Sequence, residues 1–222
     1  MSDRPTHDRP THDRPAPRIK AVFWDFGGVI TTSPFDAFRH YEATAGLPDG
    51  FIRGLNATDP DTNAWAAFER GEIDLDAFAR RFEAEALAAG GALDARAVVA
   101  AILGDVRPAM ALAVRRCRQA GLTTALLTNN FVVAGATVDY GDLLAAFDVV
   151  VESSRAGCRK PDPRFYRLAC ELAGVSPAHV VFLDDLGVNL KPARAMGMTT
   201  VKVTDPEVAL AELEALVGFE LG

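Results

Sequence analysis

A chain of 222 residues, 49% of them hydrophobic, is long enough for one large domain or for a core domain with a smaller insert. No apolar stretch reaches the length of a membrane span. The formal net charge of −7 argues against a general nucleic-acid binder, which would carry a basic face, but leaves room for anionic substrates in a locally positive pocket.

The first 17 residues differ from the rest. Asp3-Arg4-Pro5, Asp8-Arg9-Pro10 and Asp13-Arg14-Pro15 repeat at a five-residue period. Proline removes backbone donors and the segment has little to bury, so residues 1–17 are expected to be a disordered, solvated tail, His7 and His12 included. The polar N-terminus predicts no signal peptide. Cys117, Cys158 and Cys170 are odd in number and lack metal-ligand spacing, so free thiols in a reducing, cytoplasmic setting are expected. Cys158 lies two residues before Lys160, where a thiol is either partly activated or a small loop residue.

The apolar run Ala21–Trp24 reads as a buried strand that delivers Asp25 into the glycine turn Phe26-Gly27-Gly28-Val29-Ile30. A carboxylate in that position can attack phosphorus or carbon, or bind a metal. From about Ser33 to Val106 helical periodicity dominates. Trp65 and Phe68 share one helical face, as do Phe78 and Phe82, and Asp74 or Asp76 can start the helix that carries the second pair. These aromatics either form the core of a helical insert or line a ligand pocket.

Beyond the insert, strands and helices alternate. A helix over Ala109–Ala120 stops at Gly121, and the strand Thr123–Leu127 ends in Thr128-Asn129-Asn130. The strand Phe147–Val151 leads through Glu152-Ser153-Ser154 to Lys160-Pro161-Asp162-Pro163, and a helix covers Pro163–Ala173. The strand Val180–Leu183 ends in Asp184-Asp185, followed by a helix over Asn189–Met196, a strand over Thr200–Val203 and a helix over Pro206–Val217. Strands apolar throughout, alternating with helices, predict an α/β fold with a parallel sheet covered on both faces.

In such a sheet, ligands bind beyond the carboxyl ends of the strands, so four strand ends can converge: Asp25, Thr128-Asn129, Lys160 and Asp184-Asp185. Thr128 offers a hydroxyl, and nearby backbone N–H groups can hold anionic oxygens. Lys160 can balance a carboxylate and a phosphate together. Asp25 with Asp184 and Asp185 is a hard-oxygen set suited to Mg²⁺. Adjacent carboxylates at a buried strand end repel, so a metal or an ammonium is expected between them.

This ordered set resembles the haloacid dehalogenase superfamily, in the subclass with a helical cap between the first and second motifs. The resemblance runs from residue 19 onward, and the segments Glu152–Tyr166 and Val180–Val203 are most similar to the N-terminal phosphatase domain of soluble epoxide hydrolase. It implies a Rossmann-like core over 18–32 and 107–222 with a cap over 33–106, hinged near Thr31–Pro34 and Val106–Pro108. It further implies Asp25 as a nucleophile forming an aspartyl-phosphate, and Mg²⁺ held by Asp25, the Gly27 carbonyl and Asp185, with Asp184 close by. Thr128 and Asn129 would bind the phosphoryl group, Lys160 would stabilise the charged intermediate, and Asn189 would orient Lys160 or metal-bound water. The implied substrate is a phosphorylated small molecule, amphipathic if the cap's apolar residues face it, and the protein is expected as a monomer or homodimer with no nucleic-acid partner.

At one position the chain departs from the family's phosphatases. They usually carry Asp two residues after the nucleophile, where it protonates the leaving alkoxide; here Gly27 occupies that place. An acid–base group of this kind contributes ~10²–10⁴-fold. Three readings follow: a phosphatase that borrows its acid elsewhere, with Ser33, Asp36 and His40 as candidate donors; a 2-haloacid dehalogenase-type enzyme, since halide leaves without a proton; or a non-catalytic phosphate-binding or interaction protein.

Overall fold

The computed structural model describes residues 19–102, 104–132 and 141–222, so the Asp-Arg-Pro repeats lie outside the described residues. Five strands, β1 (Ala21–Trp24), β2 (Thr123–Thr128), β3 (Val149–Glu152), β4 (Val180–Asp184) and β5 (Thr199–Lys202), form one sheet in the order β3-β2-β1-β4-β5. All four pairings are parallel. β1 lies in the middle with every residue buried, as its unbroken apolar run requires. Its side chains alternate between faces. Val22 and Trp24 pack with Met110 and Val114 of α6 (Pro108–Gln119) and Leu213 of α10 (Pro206–Val217). Ala21 and Phe23 pack with Phe165 and Tyr166 of α8 (Pro163–Ala173) and Leu190 of α9 (Gly187–Ala195).

The register places the polar strand ends together. Trp24 sits beside Leu126 on one side and Leu183 on the other, so Asp25 emerges level with Asp184. The chain leaves β1 toward β2 on one side and β4 on the other, the strand-order reversal beyond which α/β sheets bind ligands. The third strand starts later than its apolar run predicts. Phe147 is buried in the core, but the ladder begins only where Val149 meets Ala125. The apolar run registers burial, not pairing.

Between β1 and α6 lie α1 (Pro34–Ala45), α2 (Phe51–Ala57), α3 (Ala64–Glu69), α4 (Leu75–Ala88) and α5 (Ala95–Ala101), with a hydrophobic core of their own. Trp65 meets Phe78 and Phe82 edge-on at 5.5 and 5.6 Å, and Phe68 stacks on Phe78 at 4.5 Å. Trp65, Phe68, Phe78 and Phe82 are all buried in this core, each contributing about 1.5–3 kcal/mol. Asp74 caps α4 by accepting from the Ala77 N–H at 2.8 Å, while Asp76 pairs with Arg96 at the surface. The two linkers to this helical unit run side by side. Thr31 bridges Val106, the Thr32 N–H donates to the Asp105 carbonyl at 2.9 Å, and the Arg107 N–H donates to the Ile30 carbonyl at 2.8 Å. No described helix is long and apolar enough to cross a membrane.

Candidate active site

Asp25 is held by the backbone that follows it. Its Oδ1 accepts the Phe26 N–H at 2.6 Å and lies 2.6 Å from the Lys160 Nζ. Lys160 is 1% exposed, and the same Nζ donates to Asp184 Oδ2 at 2.8 Å. One ammonium therefore bridges the carboxylates at the ends of β1 and β4. Asp184 is fully buried and heavily used: Oδ1 also accepts the Leu186 N–H at 2.8 Å, and the Asn189 amide donates to both oxygens at 3.0 and 3.1 Å. The Asn189 carbonyl in turn accepts the buried Tyr166 hydroxyl at 2.7 Å. Asn189 thus orients Asp184, where it was expected to orient Lys160 or metal-bound water.

Asp25, Asp184 and Asp185 each bring a carboxylate oxygen to within 4.8 Å of the others. Burial, and then the Asp184 charge, hold the Asp25 carboxyl well above the usual carboxylate range despite Lys160. The same two causes push Asp185 up to about 6. Burial alone would lower the Lys160 ammonium, but the Asp184 and Asp25 carboxylates outweigh it and its affinity for the proton rises. When all three carboxylates are ionised, the Lys160 ammonium offsets only one of their charges. An all-oxygen set with that deficit fits a hard divalent cation such as Mg²⁺.

The turn after Asp25 contains two glycines with different duties. Gly27 has φ −69° and ψ 128°, a conformation open to any residue, and a Cβ there would meet only the Pro34 ring at 3.5 and 3.6 Å. Gly28 has φ +80°, and a Cβ there would sit 2.4 Å from Asp185 Oδ2. Its missing side chain is what lets Asp185 lie against the turn. The Gly28 carbonyl accepts Arg107 Nη1 at 2.8 Å. The sequence reading took Gly28 only as part of a turn, and no local motif marks Arg107, which is 79 residues away.

Thr128, half-buried, closes β2 beside β3. The Asn129 side chain reaches the Lys160 loop. Its Nδ2 donates to the Lys160 carbonyl at 3.0 Å and its Oδ1 accepts the Lys160 N–H at 2.9 Å. This two-bond clamp fixes the main chain of Lys160. The three candidate acids are also engaged or remote. Ser33 Oγ caps α1 through the Phe35 N–H at 3.3 Å, Asp36 pairs with Arg39, and His40 is exposed. Among the described residues, none of the three bonds to Asp25. Cys158 is buried and its thiol is pushed up by desolvation, the opposite of activation.

Comparison with known proteins gives the family. Residues 19–197 match the family described as haloacid dehalogenase-like hydrolase. The chain is 30% identical over 222 residues to the bifunctional epoxide hydrolase 2 of Mus musculus, covering 91% of this chain and 39% of that one. It is 34% identical over 203 residues to Phosphatase MT3486 of Mycobacterium tuberculosis, covering 81% of this chain and 85% of the relative. The chain spans less than half the length of several relatives that it matches, the mouse epoxide hydrolase among them. A HAD family enzyme of Bacteroides thetaiotaomicron, solved in complex with magnesium and inorganic phosphate, superposes with a TM-score of 0.60 at 19% identity, covering 83% of this chain and 93% of the other. The chain belongs to the haloacid dehalogenase-like hydrolases.

Proposed function

We propose that this hydrolase cleaves phosphate esters or acyl phosphates of small molecules through an aspartyl-phosphate at Asp25. The observation that carries the reading is the Lys160 ammonium set between Asp25 and Asp184 at 2.6 and 2.8 Å, with Asp185 completing an oxygen set whose full negative charge this ammonium does not offset. A dehalogenase has no use for that deficit, whereas a phosphoryl-transfer site uses a divalent cation and an ammonium to offset the phosphoryl charge. Phosphatase MT3486, similar over most of its length, supports the same class.

In this reading Asp25, the Gly27 carbonyl and Asp185 would hold Mg²⁺, with Asp184 beside them. Bound there, Mg²⁺ would neutralise phosphoryl oxygens and lower the cost of bringing an anionic substrate to three carboxylates. Oδ1 of Asp25 is occupied by the Phe26 N–H and Lys160, which leaves the carboxylate oriented for attack. As the Asp25 oxygen bonds to phosphorus, the bond to the leaving oxygen breaks, and water later attacks the acyl-phosphate to release inorganic phosphate and regenerate Asp25. Thr128 would receive phosphoryl oxygens. Asn129 would serve by clamping Lys160, and Asn189 by holding Asp184. With Gly27 in place of an acid, the leaving oxygen departs as an anion or takes its proton from water, which favours acyl, enol and aryl phosphates over alkyl ones.

The test is a panel of aryl, acyl and alkyl phosphates with Mg²⁺ and with chelator, beside 2-haloacids. Turnover of aryl or acyl phosphates that needs Mg²⁺ and vanishes in Asp25→Asn supports the reading. Halide release indifferent to chelator replaces it with dehalogenation. Phosphate binding without any turnover leaves a non-catalytic protein.

A further inference from the structure

The loop that carries Lys160 is gripped by the helical cap. Arg159, its immediate neighbour, donates from Nη1 to Glu69 Oε2 and from Nη2 to the Pro60 carbonyl, both at 2.5 Å. Glu69 ends α3, and its other oxygen accepts the Trp65 indole N–H at 3.0 Å, so the carboxylate is fixed within the cap's own core. Both members of the pair are largely shielded, with side-chain exposures of 18% for Arg159 and 10% for Glu69. A shielded pair is little weakened by salt, and parting it would strand a buried carboxylate.

A second set of contacts reaches the loop after β2. The Ser153 hydroxyl donates to the Glu69 carbonyl at 2.5 Å and accepts the Asn130 N–H at 2.9 Å. Phe131 stacks on Phe68 of the cap at 4.7 Å and meets Trp65 edge-on at 6.2 Å. Gly71 has φ +69°, and a Cβ there would lie 2.5 Å from the Ser154 carbonyl, so the cap backbone rests directly on the chain after β3. Arg159, next to Lys160, and Phe131, two residues after Asn129, are therefore both anchored in the cap.

We infer that Glu69 and Arg159 form a latch between cap and core and act as positioning residues for Lys160. The inference rests on the role proposed for Lys160. The Nζ must serve two carboxylates at once, at 2.6 and 2.8 Å, so a small shift of its loop loses one of them. Seating the cap holds that loop from the Arg159 side, while Asn130 and Phe131 hold the Asn129 side.

The experiment uses the full chain with Arg159→Ala, Arg159→Lys and Glu69→Gln, the last two retaining side-chain bulk. Nitrophenyl phosphate hydrolysis with Mg²⁺ is measured alongside amide hydrogen exchange. The latch predicts a kcat loss on the order of tenfold in Arg159→Ala and Glu69→Gln, a smaller loss in Arg159→Lys, and KM within about twofold. It also predicts faster exchange both in cap residues 60–71 and in core residues 129–131 and 158–162. A raised KM at unchanged kcat would make the contact a gate for substrate entry and overturn the positioning role. Faster exchange confined to the cap would overturn the coupling itself. If the wild-type protein hydrolyses no phosphate, the proposed reaction falls, and the exchange pattern alone then decides whether the latch exists.

Discussion

Replacing Gly27 by Asp restores a carboxylate where the family's phosphatases usually carry one, and the structure sets what it costs. The backbone at 27 has φ −69° and ψ 128°, so a side chain introduces no backbone strain. Its Cβ would touch the Pro34 ring at 3.5 and 3.6 Å, ordinary van der Waals distances. Loss of a glycine from the unfolded chain adds about 0.4–1 kcal/mol of stability. The new carboxyl would sit two residues from Asp25, whose cluster with Asp184 and Asp185 is already acidic, and that favours its protonated form, the form an acid must have. General acid catalysis contributes ~10²–10⁴-fold, equivalent to about 3–5 kcal/mol of barrier. Butyl phosphate should gain up to that factor in kcat, because an alkoxide needs a proton to leave. Nitrophenyl phosphate should change little, because its phenolate leaves unassisted. Phosphate release from the two esters, compared in wild type and Gly27→Asp, reads the difference directly. Equal gains for both esters, or no gain for the alkyl ester in a folded variant, would refute the idea that the absent acid limits this enzyme.

Gly28→Ala should behave in the opposite way: a Cβ 2.4 Å from Asp185 Oδ2 at a φ of +80° must displace Asp185, so stabilisation by Mg²⁺, followed by thermal unfolding, should be largely lost. Lys160→Met leaves Asp25 and Asp184 facing each other without a cation, and breaking a buried pair of this kind costs about 3–5 kcal/mol. In chelator the Tm loss should be larger at high pH than at low pH, because protonating a carboxyl removes the repulsion; equal losses would remove the electrostatic explanation. The metal-free wild type should itself lose stability as pH rises. Asp185 binds its proton more tightly folded, with a pKa of about 6 against an ordinary 3.8, so the folded state is favoured below the lower value and loses about 3 kcal/mol by the time pH exceeds the upper one. Asp25 shifts in the same direction and adds to the loss. Denaturant titrations in chelator at pH 5 and pH 7 check the sign, and added Mg²⁺ at pH 7 should return the stability.

The strand ends were legible because burial on both faces leaves an unbroken apolar run, and the first polar residue after it must lie at the sheet's edge. That logic located Asp25 and Asp184 to the residue, and the parallel register Trp24–Leu183 brings them level. It also separated cap from sheet, since aromatics at helical spacing pack as they do between Trp65, Phe78 and Phe82. What periodicity does not encode is which lone pair each polar group spends. Asn129 and Asn189 lie beside the expected chemistry, yet both use their amides on protein: one on the main chain of Lys160, the other on Asp184. Arg107 and Glu69 join the site's surroundings from 79 and 90 residues away along the chain, distances over which sequence pattern is silent.

These unread contacts share a direction. Lys160 is held at its main chain by Asn129, and Asp184 at its carboxylate by Asn189 and the Leu186 N–H. Gly28 is held by Arg107, and the Lys160 loop by Glu69 through Arg159. In each case a neutral amide or a distant charge fixes either a charged residue of the site or the turn that Asp185 lies against. Burial, and then the mutual repulsion of three carboxylates within 4.8 Å, raise the proton affinity of Asp25 and Asp185, so without such bracing the carboxylates would drift apart and lower their mutual energy. The bracing keeps the carboxylates crowded, and a divalent cation would relieve that crowding. A site built this way would bind Mg²⁺ at the expense of its own metal-free stability, so the Tm gained with Mg²⁺ should shrink in Asn189→Ala, where Asp184 is free to relax. An undiminished gain in that variant would show that the carboxylates hold their places unaided.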